Sequence, residues 1–376
     1  MIIGGIIAEY NPFHNGHLYQ LNELKKHCDG IAVVMSGSFV QRGDAAITDK
    51  FTRAAAAVQF GANLVVELPA VYALSSAPQF AFGGVSILKL LGCGILCFGS
   101  ECGDAEALIN AAGILTGETR EQSQRLRSLL KKGNSYPAAV SEVFELSENI
   151  FSSPNDILAA EYIKAARKIN YFPKFLPLKR HGAMHDSDCC SESVASASHI
   201  RSLILSGKDY KRFIPDYEIN DIRSISELNT AVISAARIFG REFFSECDLP
   251  ESTKNRLFSA APLCSDIEAL AASAKEKAVT LARIRRSILC AFLGIDKYMC
   301  RRPPEYIRVL ALDKTGAEIL KYVSGTHIIV KAADYKAENE CFKKDILSSD
   351  IAALCGKIKK GGSDFTTSPA FIKRTV

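Results

Sequence analysis

The chain opens with the apolar run Ile2-Ile3-Gly4-Gly5-Ile6-Ile7, which leads directly into Glu9-Tyr10-Asn11-Pro12-Phe13-His14-Asn15-Gly16-His17-Leu18. A short apolar run closed by turn residues reads as a buried strand, and Asn11-Pro12 starts the turn because proline biases the residue before it toward extended geometry. His17 to His27 then continues as a helix. A strand, a tight turn and a helix start in this order commit the chain to an α/β architecture that begins with a parallel strand. They also set His14 and His17 three residues apart at a helix mouth, where unpaired N–H groups and the helix dipole favour anions. Imidazoles placed there can donate hydrogen bonds to charge developing on the α-phosphate of a nucleotide, without a covalent enzyme intermediate. Gly16 is expected to keep side-chain atoms away from the backbone where a ligand approaches. A capped helix after a strand is ordinary architecture. Its place at the carboxyl end of the first strand, where open α/β sheets bind ligands, is what argues for a site.

Further strands are expected at Gly30–Ser36, Leu64–Leu68, Ile95–Phe98 and Phe175–Leu178, with helical patterns such as Thr48–Phe60 and Val85–Leu91 between them. That alternation predicts a Rossmann-like, doubly wound parallel sheet with right-handed crossovers. Polar, glycine-rich turns follow the strands: Met35 to Asp44 after the second, Glu67-Leu68-Pro69 after the third, Phe98-Gly99-Ser100-Glu101 after the fourth. From about Asp216 the pattern changes to long amphipathic stretches, Ile225–Phe239, Ile267–Ser273 and Lys277–Leu293. The expected division is therefore a catalytic α/β domain over 1–215 and a mostly helical C-terminal domain over 216–376, with the cut near Ile214-Pro215.

The 376 residues suit about two domains, and a hydrophobic content of 48% allows sizeable cores. No uncharged run is long and apolar enough to span a membrane, and the N-terminus lacks the basic flank and cleavage pattern of a signal peptide. Twelve cysteines lie scattered without a C-x-x-C pair, as reduced thiols do. A cytoplasmic location is expected. The net charge of +5 is modest but clustered, at Arg283/Arg285/Arg286, Arg301/Arg302, Lys343/Lys344 and Lys357/Lys359/Lys360. Such clusters either meet a phosphate backbone or cover solvated helix faces.

A second constellation is Ser193-Val194-Ala195-Ser196-Ala197-Ser198-His199-Ile200-Arg201. Ser198 is a plausible helix N-cap, and Arg201, one turn in, can reach β- or γ-phosphate oxygens. Between the motifs, His181, His185 and Cys189 are spaced four and four, as zinc ligands on a helix would be. Gly182 and Asp186-Ser187-Asp188 argue against a helix there, so the stretch reads as a mobile basic loop near the triphosphate, and no metal site is expected.

The first motif and the late Ser/Arg motif resemble the H-x-G-H nucleotidyltransferase superfamily, whose members attack the α-phosphate of ATP and release pyrophosphate. The resemblance narrows when more of the chain is taken in. It covers Ala8 to Tyr19, the Ser36-Gly37-Ser38-Phe39-Val40-Gln41-Arg42-Gly43 loop, Asp49-Lys50 and Arg53, and Gly61 to Pro69. It continues through Phe98-Gly99-Ser100-Glu101, Pro154-Asn155-Asp156-Ile157-Leu158, Arg283-Ile284-Arg285-Arg286 and Tyr306-Ile307-Arg308-Val309-Leu310. Together these segments look like the bacterial tRNA(Met) cytidine acetate ligase family. The resemblance implies N4-acetylcytidine formation at the wobble position of elongator tRNA(Met), from acetate and ATP with Mg2+ rather than from acetyl-CoA. It implies ATP contacts along Ile7-Ala8-Glu9-Tyr10-Asn11-Pro12-Phe13-His14-Asn15-Gly16-His17-Leu18-Tyr19-Gln20 and at Gly99, Asn155 and Arg180, beside Ser198 and Arg201. It makes tRNA the partner of the Arg283, Arg285 and Arg286 cluster, with no DNA and no membrane partner. His181 stands where the family usually has a small aliphatic residue.

Acetate does not react with an amine unaided, so adenylation must come first: acetate oxygen attacks the α-phosphorus, and His14 and His17 stabilise the equatorial oxygens. Pyrophosphate would leave toward Ser198 and Arg201. Two other readings stay open at this point. One is a small-molecule adenylyltransferase acting on phosphopantetheine or nicotinate mononucleotide; the other is a nucleotide-binding RNA adaptor without catalysis.

Overall fold

The computed structural model describes residues 1–117, 119–132, 136–144, 153–179 and 193–373. Its strands are β1 (Ile3–Ala8), β2 (Gly30–Ser36), β3 (Phe39–Val40), β4 (Asp44–Ala45), β5 (Leu64–Leu68), β6 (Ile95–Ser100), β7 (Lys174–Lys179), β8 (Tyr306–Leu312), β9 (His327–Ile329) and β10 (Ala370–Phe371). Helices α1 (Asn15–Lys25), α2 (Lys50–Gln59), α3 (Ala70–Ala73), α4 (Ala77–Leu90), α5 (Ala105–Thr116), α6 (Arg120–Lys131), α7 (Tyr136–Phe144), α8 (Pro154–Lys168) and α9 (Ala197–Leu205) follow the strands of the first half. The second half carries α10 (Asn229–Phe239), α11 (Glu251–Ala260), α12 (Ile267–Ser273), α13 (Leu281–Leu293), α14 (Lys314–Lys321), α15 (Glu340–Ala353) and α16 (Ser363–Thr366).

The main sheet has the order β10-β8-β5-β2-β1-β6-β7, with β9 beside β8. Its core, β5-β2-β1-β6-β7, is parallel throughout. Both faces are covered, as a parallel sheet requires. Ile31, Val33 and Met35 of β2 pack on one side with α1 and α2, while Ala32 and Val34 pack on the other with α4 and α8. The direction of winding reverses between β1 and β6, so the crevice at their carboxyl ends is the topological switch point where such sheets take ligands. The doubly wound α/β fold and its five core strands are those expected from the sequence.

The expected cut near 215 does not separate sheet from helices. Residues 306–312 add β8, antiparallel to β5, and 370–371 add β10 beyond it. The helical part beyond 215 is thus an insertion ahead of a returning strand. A buried ionic cluster fastens the two halves: Lys50 Nζ lies 2.7 Å from Glu67 and 2.8 Å from Asp364, and Arg308 lies 3.5 Å from Asp364. All four side chains are at most 3% exposed. The opposed charges hold the Lys50 ammonium above its ordinary pKa although burial alone would lower it. No described helix is long and apolar enough to cross a membrane.

Candidate active site

His14 closes the turn after β1 with extended backbone and acts as the N-cap of α1. Its Nδ1 accepts from the Gly16 N–H at 3.1 Å, and Nδ1 of His17 accepts from the His14 N–H at 3.2 Å. The two histidines thus form a capping box, a task usually given to Ser/Thr and Glu. An accepting Nδ1 carries no proton, so a neutral ring holds its proton on Nε2, and the network assigns both rings as Nε2–H donors. The imidazoles stack at 3.7 Å between centroids with a 22° tilt. Tyr10 sets its ring edge against His17 at 4.7 Å and Phe13 lies at 5.8 Å, which fixes the plane of the second ring. Tyr10 is fully buried and takes a left-handed backbone (φ 46°), uncommon for a non-glycine residue. Such strain collects at functional turns.

Gly16 also meets a packing need that the sequence did not show. A Cβ there would lie 2.9 Å from His14 Cε1 and 3.1 Å from its Nδ1. The missing side chain makes room for the His14 imidazole.

The turn is held from three sides. Asn11 Oδ1 accepts from the Ile47 N–H at 2.7 Å, the Asn11 carbonyl accepts from Arg201 Nη1 at 2.8 Å, and the Phe13 carbonyl accepts from Tyr217 Oη–H at 2.9 Å. Asn15 Nδ2 donates to the Ser193 carbonyl at 2.8 Å and the Arg212 carbonyl at 3.0 Å, joining the starts of α1 and α9. Arg53, wholly buried, donates to the carbonyls of Glu9 (2.7 Å), Ser36 (3.1 Å), Thr48 (3.2 Å) and Gly37. One guanidinium thereby ties the end of β1 to the loop after β2. Burial pushes it down to about 10, still charged at neutral pH. Arg53 was in the family pattern, but no local signal shows that its partners are four backbone carbonyls, three of them 16 to 44 residues away.

The β3–β4 hairpin leans over this edge. The Gln41 N–H donates to Glu9 Oε1 at 2.8 Å, and the Gln41 carbonyl accepts from Arg286 Nη1 of α13 at 2.7 Å. Gly43 permits the contact: its φ is +76°, and a Cβ would lie 2.5 Å from the Arg286 nitrogen. Asp44 is half-buried in this hairpin, and desolvation raises its carboxyl pKa against the lowering effect of Arg201 and Arg285.

At the neighbouring strand end, Gly99 lies in β6 and Asn155 in the first turn of α8. Asn155 Nδ2 donates to Glu101 Oε1 at 2.5 Å, and Asp156 accepts from the N–H groups of Glu101 (3.0 Å) and Cys102 (3.2 Å). Ile7 is in the core, Ala8 ends β1, and Leu18, Tyr19 and Gln20 lie on α1, with Tyr19 the exposed one. Gln20 Nε2 reaches Cys97 Sγ at 3.9 Å, and burial pushes that thiol up to about 12.

The late motif needs one correction. Ser196 is the N-cap of α9, accepting from the His199 N–H at 3.2 Å, because its extended backbone precedes the first helical residue. Ser198 is the second residue of the helix, with its hydroxyl 3.1 Å from that of Ser196. Arg201 reaches the turn after β1, so the two motifs do meet. Arg180 and the 181–192 stretch with His181, His185 and Cys189 lie outside the described residues. Among the described residues no three His, Cys, Asp or Glu converge as metal ligands.

In the Arg283/Arg285/Arg286 cluster, Arg283 pairs with Asp248 at 3.3 Å and Arg285 with Glu268 at 3.0 Å from Nε, while Arg286 braces the hairpin. Lys343 and Lys359 are likewise paired, with Glu340 at 3.0 Å and Glu227 at 2.8 Å.

Residues 1–365 match the family model described as HIGH Nucleotidyl Transferase. The tRNA(Met) cytidine acetate ligase of Clostridium novyi (strain NT) is 34% identical, over 99% of this chain and all of the relative. That of Caldanaerobacter subterraneus subsp. tengcongensis is 36% identical, over 94% of this chain and 95% of the relative. Among solved structures, Thermotoga maritima TmcAL bound with alpha-thio ATP superposes with a TM-score of 0.88 at 28% identity, covering 99% of this chain and 100% of that one. Its apo form superposes with a TM-score of 0.90.

Proposed function

The chain belongs to the HIGH nucleotidyl transferase family, among the tRNA(Met) cytidine acetate ligases, and from that premise we propose that it joins acetate to a cytidine of tRNA(Met) at the expense of ATP. The observation that carries this reading is the stacked His14/His17 capping box at the switch point of the sheet. Two Nε2–H donors fixed side by side suit the equatorial oxygens of a pentacoordinate α-phosphorus, and their positions are set before the reaction begins.

An acetate oxygen attacks the α-phosphorus in line and the bond to pyrophosphate breaks, leaving acetyl-adenylate. The developing charge on pyrophosphate meets the start of α9, where Ser198 lies, and the guanidinium of Arg201. The exocyclic N4 of cytidine, at the wobble position of the elongator tRNA, then attacks the acetyl carbonyl. AMP departs and the nitrogen loses a proton. Glu9, Tyr10 and Gly16 shape the catalytic turn, and Gly99 and Asn155 form the opposite wall for the nucleotide. Arg180 belongs to the same proposal. Mg2+, where bound on the triphosphate, supplies charge neutralisation. Arg283 and Arg285 are the tRNA contacts of the helical part, because exposed ion pairs are worth only about 0–1 kcal/mol and a phosphate can exchange for the carboxylate. With ATP and tRNA as substrates, the cytoplasm is the place of action.

The test is pyrophosphate release with acetate, phosphopantetheine or nicotinate mononucleotide offered in turn, followed by nucleoside analysis of the tRNA. Release with acetate and appearance of N4-acetylcytidine are expected. Release with either phosphorylated metabolite instead, or tRNA binding without release, refutes the reading.

A further inference from the structure

Away from the His14/His17 turn, a cavity of about 270 Å3 opens between the start of α4 and the side of α13. That is near the low end of ligand pockets, about 300 Å3, and suits one nucleotide rather than a stem. Ser76, Gln79, Arg283, Arg286, Lys297 and Arg301 line it. Ser76 is the N-cap residue of the 14-residue helix α4, yet its hydroxyl makes no capping hydrogen bond and proline occupies the first turn. Proline has no N–H and those of Gln79 and Phe80 bond the Ser76 carbonyl at 3.0 and 2.9 Å, so the Ala77 N–H and the helix dipole are what this end offers an anion. Three carboxylates line it too: Asp248 sits 3.3 Å from Arg283 and Glu246 3.5 Å from Lys297, while Asp296 accepts from the Tyr298 N–H at 2.6 Å. At the rim Tyr298 is 50% exposed, with the Arg301 guanidinium 4.4 Å and the Lys297 ammonium 5.1 Å from its ring centroid. An exposed aromatic ring among cations beside a pocket is a feature of surfaces that grip single-stranded nucleic acid.

The cavity is also wired to the catalytic turn. Arg286 lines it and holds the Gln41 carbonyl, while the Gln41 N–H is held by Glu9. Two hydrogen bonds thus separate this cavity from the segment that carries His14. We propose that it receives one nucleotide of the RNA substrate flanking the reacting cytidine, its phosphate set against the α4 N-terminus, Lys297 and Arg301. This rests on the reading that the substrate is a tRNA.

The probe is a tRNA(Met) transcript, and the key variants are Ser76→Asp and Ser76→Asn. Both residues are good N-caps, so both keep or improve α4, and only aspartate puts a negative charge where the phosphate would sit. Ser76→Asp should bind the transcript at least about tenfold more weakly than Ser76→Asn, with a salt dependence flatter by about one unit of slope. Acetyl-adenylate formation without tRNA should match wild type in both. The Lys297→Ala/Arg301→Ala double variant should weaken binding in the same direction. Equal tRNA affinity for Ser76→Asp and Ser76→Asn, at every salt concentration, overturns the assignment. If wild type forms acetyl-adenylate but binds no tRNA, the RNA reading fails and the pocket assignment falls with it. If tRNA is bound but acetate is not activated, the functional reading fails while the Ser76 pair still decides the pocket.

Discussion

Replacing Gly16 with alanine separates catalytic geometry from stability. The new Cβ would lie 2.9 Å from His14 Cε1 and 3.1 Å from Nδ1, closer than carbon–carbon contacts allow, so the ring must move by several tenths of an ångström. It cannot move without straining the 3.1 Å bond from the Gly16 N–H and the 3.7 Å stack on His17. Losing that cap costs about 1 kcal/mol, while alanine in a helix recovers up to about 1 kcal/mol over glycine. The melting temperature should therefore stay within a few degrees of wild type. Adenylation should not, since a misplacement approaching 1 Å can cost about 10²-fold in rate. A fall of about 10- to 100-fold in acetate-dependent pyrophosphate release, with unchanged thermal unfolding, is the expected result. A Gly16→Ala enzyme that adenylates acetate at the wild-type rate would refute the claim that this glycine makes room for the imidazole.

Other substitutions test other parts. His14→Ala and His17→Ala should each slow acetyl-adenylate formation by about 10²–10³-fold, read in single-turnover assays. Arg201→Ala should lower kcat more than it raises KM for ATP, because charge reaches pyrophosphate only as the bond breaks; a pure KM effect contradicts this. Lys50→Met leaves the Glu67 and Asp364 carboxylates buried without their ammonium, so chemical denaturation should show a loss of about 3–5 kcal/mol. Asp44→Asn tests the raised carboxyl: the folded state holds that proton more tightly than the unfolded chain, so wild type loses stability as pH rises from about 4 through the raised value. The asparagine variant should be the more stable at pH 7, with the advantage gone at pH 3.

The local signals in this chain were strong, and they were the ones that depend on neighbours in sequence. Apolar runs closed by turn residues marked β1, β2, β5 and β6, because a strand buried on both faces needs continuous apolar side chains whatever packs on it, while the half-buried edge strand β7 was marked by a shorter run. The H-x-G-H spacing marked the helix mouth, since capping is a matter of three residues. Long-range contacts were not legible in this way. The side chains of Arg53, Glu9 and Asn11 act through backbone groups as far as 44 residues away, the Arg201 guanidinium reaches the Asn11 carbonyl from 190 residues on, and nothing beside them names those partners. β8 was not among the expected strands, because an antiparallel strand arriving from the far end of the chain leaves no local mark. The same holds for Ser196 over Ser198, where the choice of cap depends on which backbone turns extended, and for Arg286, whose carbonyl partner comes from a hairpin 245 residues earlier. Sequence alone thus determined the elements and the chemistry of the turn. The tertiary structure decided which side chains hold that turn rigid, because a hydrogen bond needs two groups brought within about 3 Å and only the folded chain does that.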